Sequence, residues 1–153
     1  MSTRSSGRTT LLAVVATGTR SDVQPYIALA LALAKGGFKV RLVTHQSHAA
    51  YVARFGLPFG AIKGDPAAVM RTSAFKDAVA GGSALKLGAL LLREDQRGRE
   101  LNFSFVHAAT KDVDGILCCI SLLTECTAVA QKYQIPLLLA PLLPMSPSGE
   151  VRW

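Results

Sequence analysis

Leu11-Leu-Ala-Val-Val-Ala-Thr-Gly-Thr-Arg-Ser-Asp-Val-Gln-Pro-Tyr-Ile-Ala-Leu-Ala-Leu-Ala-Leu-Ala-Lys35 is the stretch whose reading decides the fold. Leu11 to Ala16 is a short, unalternating apolar run bounded by Thr-Gly, the pattern of a strand buried on both faces of a parallel sheet. Gly18 to Gln24 reads as a polar loop. Pro25 suits the first turn of a helix, where its missing N–H costs nothing. Pro25 to Lys35 is then rich in Ala and Leu, strong helix formers. Gly36-Gly37 supplies the stop.

Working outward, Phe38 to Thr44 alternates apolar and polar residues and predicts a second strand. Gln46 to Phe55 predicts a second helix, closed by Gly56, and Leu57 to Ile62 a weak third strand. Short loops joining β-α-β-α-β imply parallel strands with right-handed crossovers. Residues 66–110 break the rhythm. Pro66 to Arg71, Ala74 to Ala80, Ala84 to Arg93 and Arg99 to Thr110 all read as helical, interrupted by Gly81-Gly82 and Gly98. Regularity returns with a strand at Gly115 to Ile120, a helix at Leu122 to Tyr133 and a strand at Pro136 to Ala140. The fold class is therefore α/β: a Rossmann-like, doubly wound parallel sheet with a helical insertion around 66–110. Residues 1–10 read as a disordered tail, 11–144 as the domain, and 145–153, which end a segment with prolines at 141, 144 and 147, as the start of a linker or a terminus.

The chain has 153 residues, half of them hydrophobic, which excludes disorder as the main state. Its net charge of +7 is concentrated toward the N-terminal half. A basic surface serves nucleic acid, anionic lipid, a phosphorylated ligand or solubility alone, and no nucleic-acid-binding motif is present. Cys118, Cys119 and Cys126 are odd in number and clustered, and read as reduced thiols of a cytoplasmic protein. No His/Cys zinc spacing occurs, so no metal is expected. No apolar run reaches the length of a membrane span.

In open parallel sheets ligands bind beyond the carboxyl ends of the strands, where this assignment puts Gly18 to Gln24. The loop opens onto a helix N-terminus, which favours anions. It offers a hydroxyl (Thr19), a guanidinium (Arg20) and one carboxylate (Asp22). It is neither GxGxxG nor a Walker A loop, so no dinucleotide cofactor is implied. Position alone leaves Asp22 with two readings, as a helix cap or as a chemical group. Gly64 and Asp65, after the third strand, either line the same rim or form a turn into the next helix. His45, ending the second strand, either faces the cleft or serves on the surface or as a cap; His48, on the next helix, has the same alternatives of a site role, the surface or a cap. His107 reads as an ordinary helical histidine.

Gly18-Thr-Arg-Ser-Asp-Val-Gln-Pro25, Val40 to His45, Phe55-Gly-Leu-Pro-Phe59 and Gly64-Asp-Pro66 together resemble glycosyltransferase family 28, in particular its sterol 3-beta-glucosyltransferase branch. The resemblance covers residues 11–66 firmly and 112–144 loosely. It implies one half of a GT-B fold, the acceptor-binding N-terminal domain of an inverting glycosyltransferase. Asp22 would be the general base. Gly18, Thr19, Arg20, His45, Gly64 and Asp65 would contact acceptor or donor. A UDP-sugar would be a co-substrate held mainly by a donor-binding domain not found in this sequence, so the chain alone would be inactive or weakly active. The implied partners are a lipophilic acceptor and that donor domain or subunit, with peripheral membrane contact; the apolar Ala84 to Arg93 run, with Lys86, Arg93, Arg97 and Arg99, would be an acceptor pocket, a membrane-facing patch or an ordinary core helix. Ser21 stands where the family usually has glycine, and a positive φ there would strain it. Two other readings stand beside this one. One is a non-catalytic membrane-surface or partner-binding module. The other, a flavodoxin-like nucleotide-binding domain, lacks the phosphate-loop glycines.

Overall fold

The computed structural model describes residues 9–65 and 68–143, with the side chains of 69 and 91–101 outside that set. Residues 1–8 of the expected tail, the expected linker and the start of the expected Pro66 helix lie outside the described residues; Thr10, expected in the tail, accepts from the Lys39 N–H through its carbonyl at 3.0 Å. Five strands form one sheet: β1 (Leu11–Val15), β2 (Lys39–His45), β3 (Phe59–Ile62), β4 (Gly115–Cys118) and β5 (Leu137–Leu139). Their order is β3-β2-β1-β4-β5 and all pairs are parallel. The helices are α1 (Arg20–Lys35), α2 (Ala49–Ala53), α3 (Ser73–Ala80), α4 (Ala84–Thr110) and α5 (Leu123–Tyr133). This is the doubly wound α/β architecture expected from the alternation of apolar runs and helical segments.

The apolar run Leu11 to Ala16 forms β1 at the centre of the sheet, where Ala13, Val14, Val15 and Ala16 are fully buried. Asp114 fastens its start: its Oδ2 accepts from the Leu11 N–H at 2.8 Å, and its own N–H donates to the Leu11 carbonyl at 2.7 Å. On β2, Arg41 makes a two-pronged bond to Asp112 at 2.6 and 2.9 Å and donates to the Ala109 carbonyl at 2.8 Å, tying the sheet to the end of α4. The Arg41 guanidinium holds the Asp112 carboxyl below its ordinary range.

Two expectations need correction. First, α1 begins at Arg20, five residues ahead of Pro25. Thr19 takes the extended N-cap conformation and Asp22 falls at the third helical position, so the polar segment is the first turn rather than a loop. Pro25 therefore lies inside the helix, where it removes one hydrogen bond. Second, Gly98 does not break the insertion: Ala84 to Thr110 is one helix of 27 residues. A helical glycine costs about 1 kcal/mol relative to alanine. Packing of the helix's C-terminal part against the sheet and α5 outweighs that.

That packing is close at Gly60 of β3. A Cβ there would stand 3.0 Å from the Ala109 Cβ and 3.0 Å from the Val43 Cγ2. Gly60→Ala should overpack this contact and destabilise the domain by roughly 1–3 kcal/mol. Urea unfolding measures it, and an unchanged midpoint would mean that α4 gives way freely.

Candidate active site

The strand order places β1 between β2 and β4, and the chain leaves β1 toward β2 and reaches β4 only after the insertion. The topological switch point therefore falls between β1 and β4. A cleft of about 310 Å³ opens there, beyond the carboxyl ends of β1, β4 and β5. Thr17, Gly18, Asp22 and Tyr26 form one wall, and Cys119, Ile120, Ser121, Pro141, Leu142 and Leu143 the other. The second wall is contributed by residues a hundred positions away from the first. It is mainly apolar.

Asp22 is half-buried in this cleft. Its Oδ2 accepts from the Thr19 N–H at 2.7 Å and from the Thr19 hydroxyl at 2.8 Å. The two readings of Asp22 are thus divided between its two oxygens: Oδ2 caps the helix, and Oδ1 takes no part in the cap. Gly18 makes this possible. Its φ is +114°, and a Cβ would lie 2.5 Å from the Asp22 Oδ2. The Gly18 carbonyl is within 3.0 Å of His48 Nε2, so the turn is held from outside as well.

The other loop residues do different work. Thr19 lies off the cleft wall, with its hydroxyl given to Asp22. Arg20 is exposed and lies over the ring of Tyr51 on α2, 4.3 Å from its centroid, a cation–π contact that pins the first turn of α1 to α2. Ser21 is helical. Among the described residues Gln134 alone, apart from glycines, has positive φ, so serine replaces glycine here without strain.

His45, Gly64 and Asp65 do not reach the cleft. His45 is buried behind Thr17, with Nε2 hydrogen-bonded to the Thr17 hydroxyl. Gly64 has φ +103° and packs beside His45 Nδ1. Asp65 pairs with Arg71 rather than lining the rim. Burial pushes the His45 pKa down, aided by His48, while the Lys63 and Gly64 backbone and Asp65 oppose the shift. Because the native ring resists a proton that the unfolded chain accepts, stability should decline as pH falls below about 6.5, His45's unperturbed value. His45→Gln should flatten that part of the profile in thermal melts taken from pH 7.5 to pH 5, and an unaltered slope would assign it elsewhere.

Tyr26, Cys119 and Ser121 belong to the site and carry no local signal of it. Tyr26 is hidden in the helical pattern of α1, and the other two follow β4. The signal that finds them is topological: each strand end at the switch point contributes its next loop. The Tyr26 hydroxyl donates to the Ala140 carbonyl at 2.6 Å and joins the two walls. Burial first, then Cys119, Cys118 and Asp22, push its pKa up to about 12, so it stays a neutral donor. Cys118, Cys119 and Cys126 are free and buried, in line with reduced thiols. Burial pushes the Cys119 thiol up, away from nucleophilic use.

A second groove, of about 460 Å³, lies between α3 and α4 and is lined by Ala74, Asp77, Ala78, Lys86, Ala89 and Leu90. It shares no lining residue with the cleft at the strand ends. Leu85 beside it is 86% exposed. The side chains of Arg93, Arg97 and Arg99, expected to flank this patch, lie outside the described residues. Among the described residues there is no cluster able to hold a metal, and no helix is long and apolar enough to cross a membrane.

Known proteins share this framework. The family model described as the glycosyltransferase family 28 N-terminal domain matches residues 12–144. The sterol 3-beta-glucosyltransferase of Pichia angusta is 48% identical over 63 residues, 41% of this chain and 5% of that protein. Among solved structures, the calicheamicin glycosyltransferase superposes with a TM-score of 0.62 at 16% identity, over 95% of this chain and 34% of its own. A glycosyltransferase of Streptomyces sp. SF2575, complexed with thymidine diphosphate, gives 0.61 at 22% identity, over 90% of this chain and 40% of its own. At these identities the two structures establish the fold alone, which this chain shares with about a third to two fifths of each. The chain spans about a twentieth of the fungal relative's length.

Proposed function

Because the chain belongs to the glycosyltransferase family 28 N-terminal domain family, we propose that it is the acceptor-binding half of an inverting, UDP-sugar-dependent transferase acting on a sterol or another lipophilic alcohol. The observation that carries this reading is the carboxylate of Asp22, fixed through Oδ2 and set into a largely apolar cleft at the switch point. The sterol acceptor is suggested by the names of the fungal relatives. A cytoplasmic location with peripheral membrane association goes with this reading.

Transfer of a sugar to a hydroxyl needs a base that removes the proton while the oxygen attacks the anomeric carbon. Asp22 Oδ1 is the group in place for that. The apolar wall of Ile120, Leu142 and Leu143 would hold the hydrophobic body of the alcohol with its hydroxyl toward Asp22. Displacement from the face opposite the departing UDP inverts the anomeric centre. The N-terminus of α1 favours the developing negative charge on the leaving group. Arg20, flat against Tyr51 and exposed, offers N–H donors to the same diphosphate. Thr19 serves by holding the base. A donor-binding domain would supply the UDP-sugar, so turnover requires both halves.

The test has two parts. The purified chain should bind ergosterol saturably when the sterol is delivered from cyclodextrin. A separately expressed donor domain, added to it, should produce UDP from UDP-glucose only in the presence of sterol. No saturable sterol binding would defeat the acceptor assignment.

One observation favours a second reading, a non-catalytic membrane-surface or partner-binding module: the α3–α4 groove with exposed Leu85 beside Lys86. Co-sedimentation with phosphatidylserine vesicles that is lost in Leu85→Ser, alongside absent turnover in the reconstituted mixture, would support it over the first.

A further inference from the structure

We propose that Thr17 and His45 form a fixed hydrogen-bond acceptor on the cleft wall, which takes the O–H of a hydroxyl on the hexose being transferred, with His45 as the positioning residue. This rests on the glycosyltransferase reading above. Thr17 lines the cleft together with Asp22. Its partner does not: His45 is only 7% exposed, behind Thr17 at the end of β2. The register pairs Val15 with Val43, so two residues further along each strand Thr17 stands across from His45. The side chains meet there, the Thr17 hydroxyl bonded to His45 Nε2.

Which of the two donates decides what a ligand meets. Burial denies the ring a charge, so it carries one N–H. Nδ1 is buried beside the Lys63–Gly64 turn, 3.8 Å from where a Gly64 Cβ would stand. The backbone of Lys63 and Gly64 favours a proton on the ring, whereas His48 disfavours one and Asp65 is the acidic group on that side. Among the described residues Nδ1 has no hydrogen bond of its own. We place the ring proton on Nδ1, the nitrogen on the Lys63–Gly64 side. Nε2 is then a bare lone pair, and Thr17 must donate to it.

The Thr17 proton is thereby committed to His45, and its hydroxyl is left to accept from a ligand. Only a donor fits against them. Asp22 Oδ1 is an acceptor too, so the polar wall offers two acceptors and selects a ligand pair with two O–H donors. The alcohol supplies one, to Asp22. We assign the other to the hexose, because the ionised phosphates of UDP have no proton to give and its ribose and uracil lie a diphosphate's length from the anomeric carbon that the alcohol attacks. Thr19 cannot take this part, since its hydroxyl already donates to Asp22.

The test uses the full chain and two probes that share one alkyl tail, n-octyl β-D-glucoside and 1-octanol. In ¹⁵N spectra of the imidazoles, His45 should show an unprotonated Nε2, and this signal should move with octyl glucoside and not with octanol. Thr17→Val should weaken octyl glucoside binding roughly two- to tenfold, the worth of one neutral hydrogen bond, and leave octanol unchanged. Thr17→Ser should restore it. A protonated Nε2 in the parent chain, or equal effects of Thr17→Val on both probes, overturns the proposal while leaving the acceptor reading intact. If neither probe binds the parent chain, the acceptor reading falls and this one with it.

Discussion

Gly18→Ala should lower stability and remove transfer activity together. At φ +114° an alanine is strained, at a cost of about 1–3 kcal/mol. The added methyl would also sit 2.5 Å from the Asp22 Oδ2, 2.8 Å from its Cβ and 2.9 Å from its Cγ. No rotation of the methyl relieves three contacts with one side chain, so Asp22 must leave its place. The helix then loses its cap, worth about another 1 kcal/mol. For a domain of this size each kcal/mol is about 2–4 °C in melting temperature, so a fall of several degrees is expected by calorimetry. Turnover in the mixture with a donor domain should drop by about a hundredfold or more, since a displacement of 1 Å near the chemistry has that effect. A variant that melts like the parent would show that Asp22 is not held where the geometry puts it.

Asp22→Asn separates the cap from the chemistry. The amide oxygen can still accept from the Thr19 N–H and hydroxyl, so the helix start should survive. What disappears is the negative charge, worth about 0.3–1 kcal/mol at a helix N-terminus, and the ability to take a proton. Turnover should fall by about 10²–10⁴ with little change in sterol affinity or melting temperature. Asp22→Ala should lose both cap and turnover. If Asp22→Asn turns over like the parent in the reconstituted mixture, the proton goes to another group and Asp22 is a cap alone. Since Gly18→Ala displaces the carboxylate and Asp22→Asn neutralises it in place, agreement of the two in activity and disagreement in stability is the pattern expected of a base that is also a structural clamp.

The sheet was legible in the sequence because each strand is a local signal. Leu11 to Ala16 and Gly115 to Cys118 are apolar without alternation, since both faces of a doubly wound sheet are covered. Boundaries were less legible. The start of α1 was misplaced because Pro25 and Asp22 each mark a helix start, and the nearer pairing of the two was wrong. Thr19 to Asp22 has the N-cap to third-residue spacing, and the helix starts there with Pro25 inside it. Gly98 was read as a break because a propensity counts what the residue costs alone, whereas the helix through it is held by contacts with the sheet and α5.

The sequence by itself determined the strand–helix alternation, the parallel sheet, and the turn at Gly18 and Asp22, all of which follow from residues close together in the chain. Tertiary structure alone decided the rest of the site. It brought Cys119 and Ser121 to face Asp22, joined Tyr26 to Ala140, hid His45 behind Thr17 and turned Asp65 to Arg71. The physical reason is that a parallel sheet orders its strands by packing and crossover handedness rather than by sequence, so the neighbours gathered at a strand's carboxyl end are chosen only when the whole chain has folded.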